Sequence, residues 1–580
     1  MSQKFKSILV FFFIFFLIMG LLYKFFHSED PNYNLHVSSA FVENLHRYDT
    51  IQPELWFDSK YKQGNTISLS SMNHIPAGKF GFVESRGRSL YLGKKKIRFF
   101  GVQVPENDIR LGSEEISRYS RHLREAGFNL AKLQLIENAN QIDLWIQSLK
   151  KEGIYTMLEV KIESKPEDEN PEEKAVQTSR NSLRVLDNFF NLKIPNSKLK
   201  YTREPALSFL SISFTGKQPF SQTLIPAIQR KIRNLGYRGM LSVHFATGLE
   251  SQVNSGSLKN FFHCTKAKPG PGSLDVNPLK KSNFLHKLIA DQGKLESPMM
   301  VCSWEMPYLA QDRFLIPFYL SSFASLQDWS ALIFKISSLE KTREKYSSLS
   351  LIEKDPIIRH SLRSSSILFR KKQVSASKKS YCLEISEKNE ELDNSLSLRT
   401  LSEKSRLNFC SSSVSKQNSN VFRIRDLNLN FTGSDPFILS DTGEIYRNWK
   451  EGYLSVNTPY LQLFEGWLKN KILKLNHISL ESKTSRALIL VQSLDNHRIK
   501  ESSKILILSL ARSALEEENE ILSEPVQAEL KLEAREGLKL LDANGKEILE
   551  SSKFLKYEEG RYRISIKRTQ KKHFLILGKP

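Results

Sequence analysis

"AGKFGFVESRGRSLYLGKKKIRFFGVQV", residues 77–104, is the stretch on which the reading of this chain turns. Two short alternating segments, Phe80–Val83 and Ser89–Leu92, flank Arg86, Gly87 and Arg88, which predicts a β-hairpin. Ile97–Val104 then reads as a buried strand. Downstream, Ser113 opens a helix with Glu115, Tyr119, Leu123 and Ala126 near helical spacing, and Gly127 stops it. A strand at Leu130–Ile136, a helix at Ile142–Leu149, Gly153 and a strand at Tyr155–Val160 follow. Alternation at this pace predicts parallel βαβ units, hence an α/β barrel or open sheet.

Further strands are expected at Ala206–Phe214, Met240–His244, Phe261–Cys264, Met299–Trp304 and Ser330–Ile336, with helices at Leu224–Leu235 and Ile316–Leu326. About eight strands in such a span suit one closed (β/α)8 TIM barrel, which commonly takes about 250 residues. The acidic, proline-containing run from Lys161 to Lys174 reads as a solvated loop. Beyond Asp355 the texture changes: serines and lysines crowd residues 352–420, read as a connecting segment, partly exposed. From Val421 to Pro580 short alternating strands are parted by turn signals such as Thr442-Gly443, Asp495-Asn496 and Asn544-Gly545, which predicts an all-β sandwich.

At the other end, Lys4 and Lys6 precede an apolar run from Ile8 to Tyr23, with Lys24 after it. A span needs about 20 residues, and snorkelling of Lys24 extends this run through Phe26. No small-residue cleavage pattern follows, so residues 1–30 are expected to be an uncleaved transmembrane signal anchor, 31–76 a tether and 77–351 the exported barrel. Lysine plus arginine exceed aspartate plus glutamate by 85 to 63, a net +22. Such an excess suits acidic lipid headgroups, acidic glycan or nucleic acid, and equally a basic proteome. No nucleic-acid motif accompanies it, so no nucleic-acid partner is expected. None of the four cysteines lies in a C-x-x-C pair, so zinc and iron–sulfur readings have no support, and no metal or cofactor is expected. Cys264 and Cys302, in apolar runs, read as small core residues; a Cys382–Cys410 disulfide is compatible with the sequence, which does not establish it.

The quoted stretch resembles the opening of cellulase-like glycoside hydrolases (family 5 and relatives), where a hairpin plugs the barrel bottom and the first strand ends in F-x-G-V-N. "LREAGFNLAKLQL" from Leu123 is similar to their L-x-x-x-G-F-N-x-V-R-L-H, and "LKYTREPALSFLSISF" from Leu199 to the segment leading to their acid/base. "SPMMVCSWEMPY" from Ser297 and "FASLQDWSALIF" from Phe323 resemble their seventh and eighth strands. "SDTGEIYRNWKEGYLSVNTPYLQLFEGWL" from Ser440 and "SLDNHRIKESSKILILSLAR" from Ser493 resemble a β-sandwich appended in one bacterial subgroup. The resemblance is loose but collinear from Ala77 to Gly578.

A retaining hydrolase of this kind needs two carboxylates roughly 5 Å apart at the barrel mouth, one as acid/base and one as nucleophile. The resemblance places the acid/base, with the asparagine before it, at Thr215 and Phe214, and the nucleophile at Ser303, before Trp304. Neither hydroxyl attacks an anomeric centre without a base to activate it. The family's arginine and histidine of the second strand correspond to Lys132 and Gln134, its H-x-Y to His263 with Thr265, and its first-strand asparagine to Gln103. Scaffold positions match while site positions depart, the pattern of a barrel kept for its shape. Glu305, on the same side of its strand as Ser303, and Glu137 and Glu159, near other strand ends, are the carboxylates able to substitute. Phe214, Phe262, Trp304 and Tyr308 either stack on sugar rings or close the barrel top as core, and Lys132, Gln134, His263 and Glu305 are the polar contacts to a ligand. Three functions follow: a non-catalytic envelope protein binding a polysaccharide, another envelope glycan or a protein; an active β-glycoside hydrolase with displaced acids; or a structural protein with an empty mouth.

Overall fold

A computed structural model of the chain describes residues 56–58, 66–163, 171–195, 197–215, 224–245, 262–267, 279, 297–306, 312–336, 351–384, 401–410, 421–423, 437–515, 521–548 and 554–579. The proposed anchor, residues 1–30, lies outside them, and among the described residues no helix is long and apolar enough to cross a membrane.

Eight strands form one all-parallel sheet: β1 (Phe99–Gln103), β2 (Leu130–Gln134), β3 (Tyr155–Glu163), β4 (Phe209–Thr215), β5 (Met240–Phe245), β6 (His263–Ala267), β7 (Met299–Trp304) and β8 (Ala331–Lys335). Their order, β6-β7-β8-β1-β2-β3-β4-β5, is the chain order of a barrel opened at one seam. Across that seam the Phe262 amide donates to the Leu241 carbonyl at 3.3 Å. Helices α1 (Ser113–Glu125), α2 (Ala139–Lys151), α3 (Pro171–Asn191), α4 (Leu224–Asn234), α5 (Ile316–Leu326) and α6 (Pro356–Arg370) alternate with the strands. Burial on both faces explains the near-continuous apolar runs of the strands.

The hairpin is real, with its first arm at Val83–Arg86 rather than Phe80–Val83, paired to Ser89–Leu92 and on to Lys95–Ile97. Its turn is two residues, Gly87 and Arg88, with Gly87 at φ +56° where only a residue without a side chain sits without strain. Val83, Leu90 and Leu92 pack with Phe99, Leu130, Met157, Phe209, Met240 and Met300 in one apolar cluster, so the hairpin plugs the barrel bottom.

The described residues of the segment 352–420 hold more than the connector their composition predicts. α6 is buried along nearly its whole length, with Ser361, Ser364, Ser365 and Ser366 fully enclosed. Asp355 caps it by accepting from the Ile357 and Ile358 amides, and Arg313 donates to the same carboxylate at 2.8 Å. The serines mislead because they look solvated, yet three of the four bond internally: Ser366 Oγ donates to the Gly127 carbonyl at 2.7 Å, Ser364 Oγ to Gln492 and Ser361 Oγ to the Ile357 carbonyl. Small side chains let this helix lie between barrel and carboxy-terminal region. Ser380–Glu384, Arg406–Cys410 and Val421–Arg423 form a small parallel sheet, so Val421 does not open the sandwich.

From Phe437 onward the described residues are β apart from a short 3-10 turn at Arg568–Gln570. An eight-stranded sheet and a five-stranded sheet face each other across a second core, with Phe464, Ile489, Val491, Ile505 and Ile507 on one side and Leu480, Leu530, Leu532 and Ile564 on the other. The larger sheet is apolar on both faces: Leu454, Leu463, Leu488, Leu490 and Leu508 join the barrel's outer cluster. Barrel and sandwich therefore share one continuous core. Cys302 is fully buried as expected, but as a disulfide sulfur rather than a thiol. An apolar run marks a cysteine as core without revealing which sulfur the fold brings to it.

Candidate ligand site at the barrel mouth

Side-chain alternation decides what reaches the carboxyl ends of the strands, where barrel sites are built. Leu130, Met157, Phe209, Ala331 and Ile333 line the inside. Counting on by twos along each strand, Lys132 and Gln134, Glu159 and Lys161, Ser211 and Ser213, and Lys335 face inward above them. Lys132 Nζ lies 2.8 Å from Glu159 Oε1, and both side chains are almost wholly buried, at 1% and 2% exposure. That pair stands one inward-facing layer above the apolar interior. Sequence reading named both residues but not their contact, because it depends on the register that sets Lys132 beside Met157.

Two other described carboxylates near the rim also meet lysines. Lys161 Nζ is 2.6 Å from Glu106 Oε1, and Lys335 Nζ is 3.9 Å from Glu305 Oε2. Glu137 is exposed in the turn after β2. Three carboxylates are thus each engaged by an ammonium group, not facing one another across a gap. Deeper polar atoms remain open: Gln134 Oε1, Ser211 Oγ and Ser213 Oγ are buried and have no hydrogen-bond partner among the described residues. Buried groups of this sort ordinarily find a partner, so they mark where water or a ligand hydroxyl would bind.

A β-bulge reshapes the seventh strand. Between Val301 and Trp304 the register against β8 shifts, leaving Cys302 and Ser303 opposite Ile333 alone. Met300 and Cys302 face the barrel interior. Without the bulge Trp304 would follow them; with it, Trp304 pairs with Phe334 and packs on that ring at 5.0 Å between centroids. Ser303, part-buried, stands beside Lys266 in backbone register.

Trp304 and Phe214 are fully buried members of the outer cluster between sheet and helices. Neither ring has a free face for a sugar, so of the two roles the sequence left open for them the fold gives the core one. Phe262 is buried with the interior cluster. Thr215 ends β4 opposite Glu163, and His263 begins β6 opposite Met299; their side chains lie outside the described residues, as does Tyr308 altogether. Among the described residues no group of three or more His, Cys, Asp or Glu side chains is placed to hold a metal.

No family profile matches the sequence, and no curated protein does. Solved structures with a similar chain path include glycoside hydrolases. A family 5 glycoside hydrolase from Bacteroides vulgatus covers 87% of this chain and 95% of its own at 12% identity and a TM-score of 0.38. A family 5, subfamily 18 protein from Streptomyces cattleya, in complex with Manβ1-4GlcNAc, covers 57% and 99% at 9% identity and 0.40. The endo-1,4-β-mannanase of Rhizomucor miehei covers 47% and 98% at 12% identity and 0.36. These likenesses concern the path of the chain and nothing of its chemistry.

Proposed function

We propose that this chain is a non-catalytic relative of the family 5 glycoside hydrolases that binds a glycan, or a protein, at the cell envelope through its barrel mouth. The observation that carries the reading is the closed Lys132–Glu159 pair at the mouth. Glu159 is the most deeply buried of the carboxylates named at the mouth, and it is spent on a lysine where a hydrolase needs a carboxylate free to face the sugar. Thr215 and Ser303 in the two family positions argue the same way. Binding, rather than a merely inert plug, is favoured by Gln134, Ser211 and Ser213, whose buried polar atoms await partners.

Export is favoured by the apolar run at Ile8–Tyr23 and by the disulfide at Cys302, since disulfides persist in oxidising compartments. One observation supports the alternative of an active hydrolase: Glu305, 23% exposed at the end of β7, is held only loosely at 3.9 Å from Lys335. It is the carboxylate best placed to meet a substrate.

The binding test is a glycan array probed with the full exported chain and with its Gln134→Ala variant. Retention of β-linked glycans that weakens in the variant supports the proposal. A silent array, with no envelope protein co-purifying, assigns the barrel a structural role instead.

A further inference from the structure

The end of the barrel opposite the mouth holds a cleft of about 230 Å³ whose lining is strongly cationic. His74 comes from the segment before the hairpin, Lys96 from the hairpin's third strand, and Arg98 from the residue before β1. Arg370 is the last residue of α6 and Lys371 its C-cap. Hairpin, barrel and interdomain helix thus each deliver positive charge to one hollow.

Compensation is incomplete. Asp328 already serves Lys96 at 2.7 Å, Arg98 at 3.1 Å and Arg406 at 4.0 Å, while Asp495 acts on Lys371 through space without pairing with it. Among the described residues no carboxylate pairs with Arg370 or Lys371. Arg370 donates only to neutral carbonyls, Gly127 at 2.7 Å and Met72 at 2.8 Å, and Lys371 to the Leu494 carbonyl at 3.2 Å. Burial pushes the Arg370 guanidinium down to about 9, and lowers the Lys371 ammonium as well. Two further polar atoms of the lining, Arg98 Nε and Asn73 Oδ1, are buried with no hydrogen-bond partner among the described residues. The Asn73 amide is oriented by its own Nδ2 donating to the Phe128 carbonyl at 2.8 Å, which leaves the oxygen as an acceptor. Desolvated cations without counter-charge are unfavourable, and a bound anion removes that cost.

We propose that this cleft is a binding site for a phosphate-type anion, separate from the barrel mouth and independent of what the mouth binds. Arg370 supplies the uncommitted charge, Lys371 a part-exposed ammonium that no carboxylate pairs with directly, Lys96 and Arg98 charge shared with Asp328, and Asn73 Oδ1 accepts from a protonated oxygen or hydroxyl of the ligand. The anion comes either free from solution or as the headgroup of an acidic lipid.

Calorimetric titration of the full chain with inorganic phosphate in low-chloride buffer tests this. A saturable one-to-one isotherm is expected, weakened at least about tenfold in Lys371→Gln, as befits loss of one charge-assisted contact. Arg370→Gln should weaken it further; because Arg370 also holds two carbonyls, the part-exposed Lys371 keeps the test valid should that variant not fold. Lys571→Gln, an equal loss of charge away from the cleft, should bind as wild type. No saturable binding, or equal weakening in Lys571→Gln, overturns the proposal. Vesicles containing phosphatidic acid separate the sources: capture that phosphate competes away and Lys371→Gln loses assigns the headgroup, whereas phosphate binding without capture assigns the free anion.

Discussion

The two ends of the barrel interior are built from opposite chemistry. At the bottom, Phe99, Leu130, Tyr155, Met157, Phe209 and Met300 close on the hairpin in an apolar cluster. Two to four residues higher on the same strands stand Lys132, Gln134, Glu159, Ser211 and Ser213, equally buried or nearly so but polar. An apolar layer asks only for volume and contact, so many sequences satisfy it. A buried ion pair contributes little net stability against an apolar isostere, so it asks for geometry rather than mere volume. The bottom holds the barrel together by contact; the top is a polar layer that must satisfy its own charges.

Breaking either layer should therefore cost stability in different ways. Phe209→Ala removes a ring that meets Phe99 at 5.2 Å and Phe262 at 5.5 Å, both edge-on, and is expected to cost about 3–5 kcal/mol in denaturant unfolding. Nothing added elsewhere should restore it. Glu159→Leu strands the Lys132 ammonium and is expected to cost a comparable amount, about 3–5 kcal/mol. Here the double variant Lys132→Met with Glu159→Leu should recover most of the loss. If each single change costs under about 1 kcal/mol, the pair is not the buried, closed contact described and the contrast between the layers fails.

A smaller effect sharpens the contrast at the seam between barrel and sandwich. Glu465, fully buried on the larger sheet with Leu463 and Trp467, has no hydrogen-bond partner for either carboxyl oxygen among the described residues. Burial raises its pKa well above the ordinary carboxylate range. The folded state therefore holds the proton more tightly than the unfolded chain. Its stabilising share is present below about pH 4.3, the unfolded value, and is lost as pH rises toward the folded pKa. Glu465→Gln should raise the melting temperature at pH 8, with the gain shrinking as pH falls to 5. A gain that stays constant with pH would place a counter-charge beside Glu465. Smallest of all, Gln134→Ala should leave stability within about 1 kcal/mol of wild type while weakening glycan capture, because its carbonyl oxygen serves no internal partner.

Much of the fold was legible because it rests on periodicity. The hairpin, all eight strands of the parallel sheet and the β-rich end follow from apolar runs and turn residues, with the hairpin's first arm displaced by three residues. Features that depend on register or context were not. α6 is hidden by its serines, which look like a linker until their hydroxyls are seen bonded to Gly127 and Gln492. The bulge at Cys302–Ser303 leaves no mark in the sequence, yet it turns Trp304 from the interior to the outer core. Contact between Lys132 and Glu159 joins two strands 27 residues apart, and only the shear of the sheet brings them together.

Whether the barrel still cuts sugars is the question on which the account stands or falls. Reducing-sugar release by the purified exported chain from mannan, β-glucan and peptidoglycan fragments, alongside Glu305→Gln, measures it directly. The account predicts no release above a heat-killed control from either protein. Turnover by the wild-type chain that disappears in Glu305→Gln would contradict it, and would make Glu305 the acid that Thr215 and Ser303 are not.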